Sequence, residues 1–140
     1  MPGQTRPFPG LLSALDRLDA AGMRMAVCTN KREKLANRLL ESLNLRTRFA
    51  AVGGGDTYHC SKPEADHLFM TIADAGGDPA YSVMIGDSRS DIFGARNAGI
   101  PSIAVPFGYS DVPVNTLKPD HIITHFDELG PELIKTLLDR

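Results

Sequence analysis

The chain has 140 residues, 42% of them apolar and 23% charged, with a net charge of −2, which is one domain's worth of ordinary globular composition. The near-neutral balance gives no support for a nucleic-acid partner or a membrane surface. No apolar stretch approaches the length of a membrane span, and the first residues do not form a signal peptide.

In chain order, the turn-like "RPFPG" leads into "LLSALDRLDAAG", whose leucines at 11, 12, 15 and 18 form a helical stripe stopped by Gly22. "MRMAVCT" reads as a short buried strand ending near Cys28, and "REKLANRLLESLNL" returns to helical spacing with Leu35, Leu39, Leu40 and Leu43 on one side. "FAAVGGGD" is a weak strand running into a glycine loop. "PEADHLFMTIADAG" reads as a helix with Pro63 in its first turn, where a missing N–H costs little. "YSVMIGD" is the clearest strand and "SRSDIFGARNAG" the helix after it. "PSIAVPFG" and "DHIIT" complete the strands, and "FDELGPELIKTLLDR" closes the chain as a helix.

Strands alternating with helices at these lengths predict an α/β, Rossmann-like fold: a parallel sheet with helices on both faces, in a single domain over residues 1–140. Ligands of such sheets sit beyond the carboxyl ends of the strands. Three polar clusters lie there. In "CTNK", Thr29 and Asn30 leave a strand and offer a hydroxyl, an amide and helix N–H groups to an anion, or else simply cap the helix. In "CSKPEAD", Lys62 stands near a helix N-terminus, a poor place for a cation unless an anion accompanies it, and a solvated loop lysine is the plain alternative. In "MIGDSRSD", Asp87 and Asp91 gather at a strand's end. Either they serve as a cap and a first-turn acid, or they suit a hard cation such as Mg²⁺, which takes one or two carboxylates and completes its shell with water and phosphate oxygens.

Cys28 and Cys60 are the only cysteines, and no CxxC pair exists, so a reducing cytoplasm fits better than a disulfide scaffold or a cysteine metal site. Cys28 borders the anion cradle but reads as structural, since no Cys-x5-Arg loop follows it and position 34 is Lys. His59 and His67 read as surface residues, and "HIITHF" gives His121 and His125 no reason to share a site.

Thr-Asn after one strand, Lys-Pro at a helix start and Gly-Asp-x-x-x-Asp after another strand occur in the order of the haloacid dehalogenase superfamily. "PFPG", "VCTNK", "GGGDT", "SKPEAD", "MIGDSRSDIFGARNAGIPSIAV", "FGY" and "PDHIIT" resemble its phosphoglycolate phosphatase-like branch. The resemblance implies a Mg²⁺-dependent phosphomonoester hydrolase working through an aspartyl-phosphate. Thr29 and Asn30 would hold the phosphoryl group, and Lys62 would neutralise it and the nucleophilic carboxylate. Asp87 would bind Mg²⁺, while Asp91 would position the ion's waters or pair with Lys62. The implied partner is a small phosphorylated metabolite such as 2-phosphoglycolate.

The family's first motif, a strand ending in Asp-x-Asp that supplies the nucleophile, does not occur before "CTNK", and residues 1–10 contain no acid. The chain therefore resembles a C-terminal core portion without its cap, inactive alone. The alternatives are a non-catalytic phosphate- and metal-binding module, or one half of a complemented enzyme. The family's missing strand lies between those ending at Thr29 and Asp87. Three or four of its apolar side chains would contribute on the order of 5–12 kcal/mol. Its loss predicts that the chain alone either pairs the two flanking strands directly or forms a homodimer across them; in the complemented reading an N-terminal segment from another polypeptide supplies the strand.

Overall fold

The computed structural model describes residues 9–105 and 113–139. Helix α1 (Leu11–Ala20) is followed by β1 (Ala26–Cys28), α2 (Glu33–Ser42), β2 (Ala51–Gly53) and α3 (Ala65–Asp74). Then come β3 (Met84–Gly86), α4 (Arg89–Ala98), β4 (Ser102–Ala104), β5 (His121–Ile122) and α5 (Pro131–Leu138). The expected α/β alternation is present and every pairing is parallel. The "RPF" of the opening turn, the end of "PSIAVPFG" and the "FGY" segment lie outside the described residues.

Side chains alternate across the strands, as the pleat requires. Ile103 faces a core with Ala14 and Leu18 of α1 and Ile134 and Leu137 of α5, whereas Ala104 faces Ile92 of α4. Helices α1 and α5 thus cover one face of β4 and α4 the other. Leu40 of α2 and Leu15 of α1 pack with Val52 of β2. Among the described residues no helix is long and apolar enough to cross a membrane.

Among the described residues the sheet is not continuous. There β1 pairs only with β2, and β3, β4 and β5 form a separate sheet in that order. The break falls between β1 and β3, where the family resemblance implies the missing strand, and the direct pairing of those strands, one of the expected outcomes, does not occur. Burial marks the same place: every residue of β2 and β4 is buried, whereas β1 and β3 are only partly so. A continuous sheet buries its inner strands best. Helices hold the halves together, since Cys28 of β1 and Met84 of β3 both pack against the cluster of Leu68, Ala95 and Ile100.

Three local expectations are corrected. Pro63 precedes the N-cap residue Glu64 instead of lying in the first turn of α3. On α2 the buried residues are Ala36 and Leu40, while Leu35 is 50% and Leu39 37% exposed, so four leucines are more than one face of that helix covers. The closing helix is two pieces, a 3-10 turn at Phe126–Glu128 and then α5, separated at Gly130. Arg17 ties that turn down by donating to the carbonyls of Phe126 (2.9 Å) and Leu129 (2.8 Å).

Candidate active site

The end of β1 is fixed by backbone: Thr29 N–H donates to Gly53 O (2.9 Å). The Thr29 hydroxyl accepts from Lys31 N–H (3.1 Å), two residues before α2 begins. Neither Thr29 nor Asn30 caps that helix. Its N-cap residue is Arg32, and the cap comes from outside, as Asp56 Oδ1 accepts from Glu33 N–H (2.8 Å). The loop after β2 is bound to the same turn by Gly55 N–H to Lys31 O (2.8 Å) and by Thr57 Oγ1, which accepts from Gly54 N–H and donates to Glu33 Oε1, each at 2.8 Å. The approach is so close that a Cβ on Gly55 would overlap the Asn30 carbonyl oxygen.

Asn30 reaches across to the loop before α3. Its Oδ1 accepts from Lys62 N–H (2.9 Å) and its Nδ2 donates to Lys62 O (3.0 Å), a reciprocal pair that uses both ends of the amide. The Lys62–Pro63 peptide is cis, and Pro63 O accepts from Asn97 Nδ2 (2.9 Å).

Lys62 is not a solvated lysine. It is 7% exposed, and its ammonium makes an ion pair with Asp91 Oδ1, itself on a residue 6% exposed. The other oxygen of Asp91 accepts from the N–H groups of Asp87 (3.0 Å) and Ser88 (3.2 Å). Ser88 Oγ in turn accepts from Asp91 N–H (3.3 Å), which completes a capping box with Ser88 as N-cap of α4. Asp87 therefore precedes the cap, at the carboxyl end of β3. Gly86 is required beneath it, because a Cβ there would fall on the Asp91 carboxylate.

Hydrogen bonds thus run from Asn30 through Lys62 and Asp91 to the Asp87 backbone, joining the carboxyl ends of β1 and β3 across the break. A carboxylate and an ammonium this deeply buried hold each other: removing either leaves an uncompensated charge. Such a chain fixes a buried ammonium between the end of β1, which Thr29 follows, and the end of β3, which Asp87 follows.

Among the described residues no three His, Cys, Asp or Glu side chains cluster as a metal-binding group. Both Asp91 oxygens are already engaged. Asp87 stands at the same strand end, and Mg²⁺ takes one or two protein carboxylates. Burial pushes the Cys28 thiol pKa up, away from the reactive thiolate, and its Sγ lies 3.9 Å from His67 O, in keeping with a structural role.

The histidines divide as expected except for one. His59 is exposed, His121 lies on β5, and His125 Nδ1 accepts from Asp127 N–H (3.0 Å) as a local cap. His67, read as a surface residue, is 0% exposed. The signal was available in the helical spacing, since His67, Thr71 and Ala75 follow one another four residues apart along a buried face. Asp56 and Asn97 were not singled out, because their partners are distant in sequence.

Residues 3–105 match the haloacid dehalogenase-like hydrolases. The phosphoglycolate phosphatase of Agrobacterium fabrum (strain C58) is 51% identical over 140 residues, all of this chain and 60% of that protein. That of Caulobacter vibrioides is 43% identical over 135 residues, 96% of this chain and 56% of the relative. Among solved structures, a predicted phosphoglycolate phosphatase from Haemophilus somnus 129PT superposes with a TM-score of 0.81 at 28% identity, covering 92% of this chain and 56% of that one. CbbY from Rhodobacter sphaeroides, solved in complex with phosphate, shares the fold with a TM-score of 0.81 at 22% identity, over 94% of this chain and 60% of its own. The chain thus spans about 60% of the length of the curated relatives it matches.

Proposed function

Because the chain belongs to the haloacid dehalogenase-like hydrolase family, we propose that it forms most of the catalytic core of a Mg²⁺-dependent phosphomonoester hydrolase acting on a small phosphorylated metabolite such as 2-phosphoglycolate. The observation that supports this most is the hydrogen-bonded chain Asn30–Lys62–Asp91–Asp87, which links the carboxyl ends of β1 and β3 through a buried ammonium. Phosphoryl transfer depends mainly on positioning and charge stabilisation, and these groups supply both.

In this reading Thr29 and the amides that follow it hold phosphate oxygens. Lys62 balances their charge, and Asp91 keeps the ammonium in place. Asn30 acts through Lys62, whose main chain it grips, as well as through its own N–H. Asp87 would be the protein ligand of Mg²⁺, with Asp91 orienting the turn that carries it; the ion, when bound, would neutralise phosphate oxygens. The sequence has no Asp-x-Asp before Thr29 to serve as nucleophile and acid/base. Loss of a nucleophile from a cooperating set lowers turnover by about 10⁶-fold, so the chain alone is expected to be close to inactive.

The partner that completes it is a strand in the break between β1 and β3, supplied by an N-terminal segment carrying Asp-x-Asp, or the break is covered by a second copy. Two free cysteines and the absence of nucleic-acid or membrane features in the composition support a cytoplasmic setting. Co-expression with the portion of the Agrobacterium relative that this chain does not span tests the proposal: Mg²⁺-dependent hydrolysis of 2-phosphoglycolate should appear and be abolished by Asp87→Ala. Activity indifferent to that substitution would refute the assignment. A non-catalytic phosphate-binding module is the second reading; phosphate binding with no turnover under complementation would support it.

A further inference from the structure

His67 is the most deeply buried polar side chain near this site that the proposed chemistry does not use. Its Nε2 lies 3.1 Å from Gly54 O. A carbonyl only accepts, so Nε2 carries the proton and donates. Nδ1 meets no hydrogen-bond partner among the described residues. A buried polar atom left unsatisfied is costly, so an imidazole is a poor choice if packing alone were needed. Its value lies in the one bond it makes. Tyr58 closes over the ring edge-on, at 5.8 Å between centroids and 71° between planes, and the Tyr58 hydroxyl donates to Asp74 Oδ2 of the same helix.

The acceptor, Gly54, begins the loop that grips the first turn of α2. Gly55 N–H bonds to Lys31 O, Asp56 caps Glu33 N–H, and Thr57 links Gly54 to the Glu33 carboxylate. The main chain at His67 also contacts the end of β1, since the Cys28 thiol approaches His67 O at 3.9 Å. One residue of α3 therefore touches both the strand and the loop between which residues 29–31 are held.

We propose that His67 is a positioning residue: its Nε2–H fixes the 54–57 loop against α2 and thereby sets the geometry of the Thr29–Lys31 anion cradle. The proposal rests on the reading of residues 29–31 as a phosphate site. Burial holds the imidazole pKa down, which keeps the ring neutral and in the donating form.

The test uses the 140-residue chain with His67→Phe, which keeps the bulk and removes the donor, and His67→Gln, whose amide nitrogen can replace Nε2. His67→Leu stands in if the Phe variant does not fold. Amide hydrogen exchange at Gly55 and Glu33 should accelerate roughly ten-fold in His67→Phe, with Val105 in the far sheet unchanged and His67→Gln near wild type. Inorganic phosphate with Mg²⁺ should bind roughly five-fold more weakly to the Phe variant, and recover in Gln. In wild type, imidazole ¹⁵N shifts should report the Nε2–H tautomer. The proposal is overturned by an Nδ1–H tautomer, by unchanged exchange at Gly55 and Glu33, or by exchange that rises equally at Val105. If wild type binds no phosphate while exchange responds selectively, the link from His67 to the loop stands and the phosphate reading falls.

Discussion

Both polar ends of the Asn30 side chain are occupied by the Lys62 main chain, so its amide holds one loop to another instead of standing open to a ligand. Asn30→Ala should lower stability by about 1–3 kcal/mol, two net hydrogen bonds' worth, in urea denaturation; a change below about 0.5 kcal/mol would show that the strut is idle. The Lys62–Asp91 pair makes a sharper case. Lys62→Met should cost about 3–5 kcal/mol by stranding the Asp91 charge, and adding Asp91→Asn should recover a large part of it. Additive losses in the double variant would contradict the pairing. His67 carries a pH signature. Its pKa is lowered in the fold from 6.5, so below that pH the unfolded chain takes up a proton that the native one refuses, and stability should fall as pH drops. His67→Gln should flatten that slope in melts between pH 7 and 5. Thr29, Lys62, Asp87 and Asp91 were visible in the sequence as polar residues after strands. Their partners were not, because Asn30 and Lys62 are 32 residues apart and the ion pair spans 29, distances over which no local pattern carries information.

At the scale of elements, periodicity located each helix and strand, but the ends were set by contacts. β1 and β3 are three residues each, shorter than the apolar runs that announce them. The leucine pattern of α2 could not show which leucines meet the core: Leu40 packs with Val52 and Leu15, while Leu35 and Leu39 remain exposed. The β3–α4 turn depends on Gly86, whose missing side chain leaves room for the Asp91 carboxylate. Gly86→Ala should destabilise the protein by about 1–3 kcal/mol through overpacking and disturb the capping box. A thermal melt indistinguishable from wild type would show that the turn can yield.

Across the whole molecule, burial marks the break in the sheet: β2 and β4, each one strand removed from it, are buried, while β1 and β3, beside it, are only partly so. The parallel α/β class was legible because helix and strand periods alternate along the chain. The break was foreseen only through kinship with a family, for no residue of this sequence announces a strand it does not contain. Unpaired edges invite pairing, and sedimentation over a concentration series should show self-association that an added Asp-x-Asp strand suppresses; a monomer at all concentrations that ignores such a strand would argue against an open edge. The central claim is that the ends of β1 and β3, with Lys62 between them, form one site for phosphate and a divalent cation. It is tested most directly by ¹⁵N NMR of the chain titrated with inorganic phosphate and Mg²⁺. Shifts should concentrate at Thr29–Lys31, Lys62 and Asp87–Ser88, with the Mg²⁺ response lost in Asp87→Ala; shifts at the opposite ends of the strands, or none at these residues, would contradict the account.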